Sequence, residues 1–442
     1  MWSLEQWLVY QEQVHPQTID LGLDRLRRVQ DRLGWRQPQV PVITVAGTNG
    51  KGSVSGYCAA VLAAAGYRVG TFTSPHLRDY RERIRIHDRL VSAEELVSAF
   101  ERIEAARGEV KLTFFEFNTL AALLVFEAAK LDAWVLEIGM GGRLDAVNVV
   151  DPDVGVLVSV GLDHQEYLGT TLEAIAREKA GIFRQGRPAV LGSRDIPEVV
   201  EEIARVMQAP LKRPGAEYTY AVEGADWHYR GSRWNLPHLP PPALAGGTQY
   251  ANAAAAIAAL EELDGRLPIP AAAVAQGLGQ VRLVARFQVI APRTPAAPTW
   301  ILDVAHNPDA ARVLAGNLRD KPGEGRTLAV CGILADKDAP GIVAELRDCV
   351  DAWWCVTTAG ERGRSGEALA QTVRRQVAAP VQAAKDTGAG CAAAFAAAKP
   401  GDRIVVFGSF HVVGPALDWL EVRDMLPPPA LHEYTTAPRA TS

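Results

Sequence analysis

The stretch PVITVAGTNGKGSVSGYCAAVLAAAG, residues 41–66, decides the fold. An apolar, β-branched run (PVITVAG, 41–47) gives way to glycines and then to a small-residue helical stretch (SVSGYCAAVLAAAG, 53–66). Strand, glycine-rich turn and helix in that order make a phosphate-binding loop, because backbone N–H groups and the positive end of the helix face the anion. The turn departs from the general GxxxxGK[ST] pattern: Gly52 follows Lys51 where Ser or Thr is expected. The physics survives the departure. Gly47, Gly50 and Gly52 let the backbone approach a phosphate, Lys51 supplies charge, and Ser53 offers a hydroxyl to Mg²⁺. The alternative is a bare turn with a solvated lysine, and the flanking strand and helix weigh against it.

Outward from this unit the pattern repeats. YRVGTFTS (67–74), DAWVLEIG (132–139), DVGVLVSVG (153–161) and RPAVLG (187–192) read as further strands separated by Ala-rich helical stretches. Continuous apolar strands alternating with helices imply a parallel sheet covered on both faces. A Pro-rich stretch, APRTPAAPT (291–299), marks a boundary, after which WILDVAHNP (300–308), RTLAVCGIL (326–334), DAWWCVTT (351–358) and DRIVVFGS (402–409) begin a second alternation. The expectation is an α/β chain: a P-loop-containing, mostly parallel sheet domain over 1–293, then a smaller Rossmann-like α/β domain over 299–426. Residues 213–247, aromatic and Pro/Gly-rich, read as a short β excursion or an exposed loop, and 427–442 as a disordered tail.

Composition narrows the class. There are 46 Lys+Arg against 51 Asp+Glu, a net charge of −5, with 48% hydrophobic and 22% charged residues. That balance argues against disorder and against a nucleic-acid binder held by a basic field. Five scattered cysteines without a CxxC read as buried reduced thiols. No basic-then-apolar leader opens the chain and no run reaches a membrane span. A cytoplasmic, monomeric protein with small-molecule partners, no nucleic acid and no membrane, is the expectation.

In parallel sheets ligands bind beyond the carboxyl ends of the strands. TSPHL (73–77) puts Ser74 there, LEIGMGGRLDAVN (136–148) puts Glu137 at the end of an apolar strand, and VSVGLDH (158–164) puts His164 just past the next. Singly they read as a helix cap, a satisfied acid and a loop residue. Jointly, at strand ends beside a phosphate loop, they read as a metal–phosphate site, Glu137 in the manner of a Walker-B carboxylate. In GTTLEAIAREKAGI (169–182), Thr170 and Glu173 have the spacing of a capping box, so a helix should start there. Lys179 then falls near its end, where composition alone makes it a cation at the negative terminus.

GTNGKGS, TSPHL, TFFEF (113–117), EIGMGGRLDAVN, GLDH, LGTTLEAIAREKAGI, DVAHNP, ILADKD and FGSFHVVG (407–414) follow one another in order. Together they resemble the dihydrofolate synthase/folylpolyglutamate synthase family of the Mur ligase superfamily, from IDLGLDR (19–25) almost to the end. The resemblance implies an ATP-dependent amide ligase. ATP, the co-substrate, phosphorylates a carboxylate of dihydropteroate or a folate, and the amine of L-glutamate displaces phosphate. It implies ATP binding by Asn49, Gly50, Lys51, Gly52, Ser53, Asn252, Arg286 and Asp303, and Mg²⁺, two ions in all, with Ser74, Glu137 and His164 as ligands. It also implies carbamylation of Lys179, which turns a cation into an anion. Asp20, Leu21, Gly22 and Leu23, with Thr113, Phe114, Phe115 and Glu116, and Leu144, Asp145 and Ala146, would contact the pterin. His306 and Ser409 are candidates for glutamate, and Lys51, Lys179 and His306 for catalysis. A monofunctional folylpolyglutamate synthase is the near alternative, a P-loop regulatory ATPase the distant one. Where the family has Leu-Pro-Gly-Arg this chain reads LVAR (283–286), which is expected to lose a strained turn while keeping Arg286; Thr248-Gln249 replaces a His-Gln pair, and Val304 a glycine.

Overall fold

The computed structural model describes residues 2–426 apart from Asp88, Ala225 and Ala296; the tail 427–442 lies outside the described residues. The chain forms two compact units, Met1–Leu283 and Val284–Ser442. In the first, β1 (Val42–Ala46), β2 (Val69–Phe72), β3 (Ile84–Ile86), β4 (Arg89–Leu90), β5 (Ala133–Glu137), β6 (Val154–Leu157), β7 (Ala189–Leu191) and β8 (Leu211–Lys212) make an eight-stranded sheet ordered β4-β3-β2-β5-β1-β6-β7-β8. All neighbours from β2 to β8 run parallel; β3 and β4 join antiparallel at the edge. The parallel strands β1, β2, β5, β6 and β7 are buried along their whole length, which is why they read as unbroken apolar runs.

Both faces carry a core. One holds Trp7, Phe100, Phe117 and Trp134; the other holds Val54, Tyr57, Trp227 and Ile257. The helix after β1, Lys51–Ala64, packs against the helices Thr248–Leu263 and Ala271–Gln280. Small residues make that packing close: Ala253 to Ala256 are fully buried, and a Cβ on Gly277 would stand 2.5 Å from the Cα of Val61. The 213–247 region resolves as the β excursion: β9 (Thr219–Glu223), β10 (Asp226–Arg230) and β11 (Asn235–Leu239) form an antiparallel sheet. Trp227 and Tyr229 are fully buried, so the exposed-loop alternative fails. The buried carboxylate of Glu261 ties this sheet to the helix Thr248–Leu263, accepting the Tyr229 hydroxyl at 2.7 Å and the amides of Arg233 and Trp234.

The second unit has β12 (Gln288–Ile290), β13 (Thr299–Leu302), β14 (Thr327–Cys331), β15 (Ala352–Val356), β16 (Val381–Ala384) and β17 (Arg403–Phe407) in the order β12-β13-β17-β14-β15-β16, parallel except for β12. Its central strands β14, β15 and β17 are wholly buried. The α/β class expected from the sequence is therefore the observed one.

Three local readings change. The helix expected to start at Thr170 is capped by Thr171, whose hydroxyl accepts the Ala174 amide at 3.2 Å, and runs Leu172–Ala180; Glu173 forms no capping box. The turn at LVAR is not lost: Ala285 takes the left-handed conformation (φ 61°) in which a glycine would be unstrained, and holds it while fully buried. Of the five cysteines, all free, Cys349 is only half-buried.

Candidate active site

β1 leads through Gly47 (φ 156°) and Gly50 (φ 86°) into the helix Lys51–Ala64. Gly50 is required twice over. Its φ is left-handed, and a Cβ there would lie 2.8 Å from both Asn252 Oδ1 and Val158 Cγ1. Asn252 thus stands against the loop, its Nδ2 donating to Gln249 Oε1 at 3.1 Å. The loop is also stitched to the segment after β6. Thr48 Oγ1 donates to the Gly161 carbonyl (3.1 Å) and accepts the Gly161 amide (2.9 Å), while Ser159 Oγ accepts the Asn49 amide and donates to its carbonyl, both at 2.9 Å. Lys51 Nζ donates to the carbonyls of Gly47 (2.9 Å) and Thr48 (3.2 Å), which keeps a positive charge over the loop at the helix N-terminus. Gly52 is half-buried and Ser53 is buried in the first turn. Gly50→Ala is expected to lower stability by about 2 kcal/mol through strain and collision and to weaken nucleotide binding with it; thermal melting and ADP titration check both.

The sheet order sets β2, β5, β1 and β6 side by side, so the ends carrying Ser74, Glu137, the phosphate loop and His164 share one edge. Glu137 is the last residue of β5, nearly buried, and pairs in register with Val45. Ser74 is half-buried two residues past β2. His164 has a left-handed backbone (φ 50°), a 29% exposed side chain, and lies 4.0 Å from Asp163. Among the described residues no group of three or more His, Cys, Asp or Glu could hold a metal by itself. The predicted set includes only two such residues. A hydroxyl, a carboxylate and an imidazole fit an ion of Mg²⁺ type that keeps water and phosphate oxygens as its other ligands, not a closed protein cage.

The loop after β5 presses on the helix Leu172–Ala180. A Cβ on Gly142 would stand 2.6 Å from the Glu178 carbonyl oxygen, and one on Gly181 would stand 2.4 Å from Arg143 Cβ. The Arg143 amide donates to Glu178 O at 2.7 Å. This packing buries Lys179, which is 4% exposed. Burial first, and then the nearby Lys51 charge, pull its amine down to about 7, although Asp163 and Asp145 act the other way. A cation at a helix end would be solvated; this lysine is enclosed. Asp145 is pushed up to about 7 by burial, against the amides of Met140 (2.8 Å) and Val147 (3.0 Å) that its oxygens accept. Ala146 is buried beside it and Leu144 half-buried.

Arg25 joins two of the predicted pterin segments. Its Nη1 donates to Asp20 Oδ2 at 2.6 Å, its Nη2 to the Asp20 carbonyl at 2.6 Å, and its Nε lies 3.3 Å from Glu116. Glu116 closes a capping box with Thr113 (2.7 Å and 3.2 Å), and burial raises its carboxyl above the usual range. Leu23 is buried, Leu21 and Gly22 half-buried. Phe115 lies 5.9 Å from Phe72 and covers Gly139, where a Cβ would strike its ring at 2.5 Å; Phe114 meets Tyr80 edge-on at 6.1 Å.

The remaining predicted residues belong to the second unit. Asp303, just past β13, accepts the amides of Ala305 and Phe287 at 2.8 Å each. Burial raises its carboxyl, and Arg286 beside it works against that rise. His306 Nδ1 donates to the Val304 carbonyl at 2.8 Å. Ser409 follows the adjacent β17 and caps the helix Phe410–Val422, its Oγ accepting the His411 amide at 3.1 Å. The predicted ATP residues therefore fall into two sets, Asn49 to Ser53 with Asn252 in one unit and Arg286 with Asp303 in the other.

The family model for the Mur ligase middle domain matches residues 45–260, and that for the Mur ligase glutamate ligase domain matches 285–410. The dihydrofolate synthase/folylpolyglutamate synthase of Escherichia coli is 42% identical over 95% of this chain and 96% of its own length. That of Haemophilus influenzae is 38% identical over 93% and 96%. The chain belongs to the dihydrofolate synthase/folylpolyglutamate synthase family of Mur ligases. The solved E. coli FolC in complex with DHPP and ADP superposes with a TM-score of 0.90 at 41% identity, covering 96% of this chain and 99% of that one. The Yersinia pestis enzyme complexed with AMPPNP and Mn ion gives 0.87 at 41%, covering 95% and 98%.

Sequence reasoning passed over three basic residues of this Mur ligase: Arg25, half-buried on the helix Asp24–Leu33, Arg83, buried in the first unit, and Lys337, buried in the second. Arg25 was within reach, since it closes the quoted IDLGLDR. Lys337, in ILADKD beyond β14, has a side chain only 6% exposed and lies 4.0 Å from Asp336. Arg83 gave no signal, because nothing in YRERIRI separates one arginine from its neighbours.

Proposed function

We propose that this Mur ligase joins L-glutamate to dihydropteroate and to folyl(poly)glutamates, with ATP converted to ADP and phosphate. Lys51 carries the reading: its amine sits over the loop carbonyls at a helix N-terminus, beside the strand that ends in Glu137. Supporting it are the Arg25 bridge between Asp20 and Glu116, which brings IDLGLDR and TFFEF together, and the 42% identity to a bifunctional relative. In this reading the first unit binds ATP through Asn49–Ser53 and Asn252 and the pterin through the segments around Asp20, Thr113–Glu116 and Leu144–Ala146. Arg286 and Asp303 are further ATP residues of this reading, and His306 and Ser409 its glutamate residues.

A carboxylate is a poor electrophile, and its attack on the γ-phosphate brings two anions together. Lys51 and the helix N-terminus neutralise charge on the phosphates and hold them in line with the carboxylate. Ser74, Glu137 and His164 would hold Mg²⁺, which when bound screens the same phosphates. The acyl phosphate is then attacked by the neutral amine of glutamate; the nitrogen–carbon bond forms, the carbon–oxygen bond breaks, and phosphate leaves. Lys179, enclosed and with its amine near 7, is neutral often enough to add CO₂, and the carbamate would approach a second ion. A cytoplasmic monomer is the setting that fits these small polar substrates; no helix among the described residues is long and apolar enough to cross a membrane.

Purified protein given ATP, Mg²⁺ and labelled glutamate should form a labelled amide with dihydropteroate and, separately, with a reduced folate. Product from the folate alone would leave a monofunctional folylpolyglutamate synthase. Product from neither would sink the proposal.

A further inference from the structure

Arg83 has no part in the reading above. It ends the short 3₁₀ turn Tyr80–Arg83, and its carbonyl accepts the Thr73 amide at 2.9 Å, which anchors it next to the strand end that carries Ser74. Its guanidinium lies 5.9 Å from the ring centre of Tyr80 and 5.7 Å from that of Phe114, and the residue is 8% exposed. Nε donates to His76 Nδ1 at 2.8 Å. Among the described residues Nη1 and Nη2 make no hydrogen bond.

The nearest acids do not satisfy this charge. Glu82 is taken up by the amides of Leu77 (2.7 Å), Arg78 (2.9 Å) and Asp79 (2.8 Å). Glu137 is close enough to favour the guanidinium's charge but makes no hydrogen bond to it. A guanidinium so largely buried costs free energy unless an anion meets it, so a fork set against the edge-on pair of Tyr80 and Phe114, its terminal nitrogens unbonded, is a receptor for a planar anion. Its surroundings narrow the class. Phe114, in the turn assigned above to the flat pterin-bearing substrate, is one neighbour, and the strand ends of Ser74 and Glu137 are the others.

We infer that Arg83 binds the reacting carboxylate of the aromatic acid substrate through its two terminal nitrogens, with the acid's ring system continuing past Phe114. This rests on the function proposed above. The fork holds the carboxylate in its own plane on the phosphate side of the rings, where transfer must occur.

The test is direct binding by quenching of protein fluorescence, with dihydropteroate and its carboxamide analogue as probes, on the wild type, R83Q and R83K. R83Q should bind dihydropteroate about 30–100-fold more weakly while the carboxamide changes less than about 3-fold, as loss of charge-assisted hydrogen bonds requires. R83K keeps the charge and loses the fork, and should fall between. The KM for ATP should stay within about 2-fold in both variants. Equal weakening of the two probes would make Arg83 a mere support for the rings and overturn the inference, as would no weakening of either. If R83Q fails to bind ADP, R83K with its retained charge decides by the same comparison. A wild type that binds both probes but forms no glutamate adduct sinks the proposed function; one with adduct formation and probe-blind variants sinks only the role of Arg83.

Discussion

Lys51→Ala removes glutamate-dependent ADP release, with kcat lower on the order of 10³-fold, the scale set by losing a fixed charge where charge develops. The substitution leaves the fold intact, because Lys51 is half-buried in the first turn of its helix, a position where alanine is a good helix former. Stability should move by no more than ~0.5 kcal/mol. The measurement is coupled ADP release with and without glutamate, alongside a melting curve. Undiminished glutamate-dependent turnover would remove Lys51, and with it the phosphate-loop reading, from the mechanism.

Lys179→Ala is expected to lower activity at least about 100-fold, the loss typical of a group that orients a metal's ligands. Small carboxylic acids should restore part of it by filling the space of the carbamate. Burial pulls the Lys179 amine from its ordinary 10.5 to about 7, so the folded protein holds it increasingly neutral above that pH. CO₂ adds only to the neutral amine; the adduct and the activity should therefore fall as pH drops through about 7. Stability follows the same sign. Between about 7 and 10.5 the unfolded chain binds the proton that the folded chain has released, so stability rises with pH across that window. Native mass spectrometry should find one added CO₂ in the wild type and none in the variant. A wild type without the adduct, equally active after bicarbonate is stripped away, would end the carbamate idea.

How much of this was legible depends on burial. β1, β5, β6, β14, β15 and β17 announce themselves because both faces are covered, which forces every position to be apolar. β3, β4, β12 and β16 did not, since strands at or next to a sheet edge keep residues such as Arg85, Arg89, Gln288 and Gln382. Thr170 and Thr171 offer identical hydroxyls, and the sequence alone does not choose between them; the helix that buries Ile175 and Lys179 is capped by the second. Ala285 shows that a turn can outlive its glycine. The strand-end residues were legible because topology aligns them. Arg83 was not, because what distinguishes it is how the turn sets it against Tyr80 and His76 of its own segment and against Phe114, 31 residues further on.

Thr48 and Ser159 have a bearing on transplantation. The glycine-rich loop is held in shape by partners 110 to 113 residues further along the chain, not by its own sequence. Grafting residues 45–53 onto a foreign scaffold would carry over the letters of the motif without the mould that shapes them. The smallest portable unit is a pair of segments, the loop and residues 158–161, and because the second runs on into His164, whoever moves the nucleotide cradle moves the proposed metal ligand along with it.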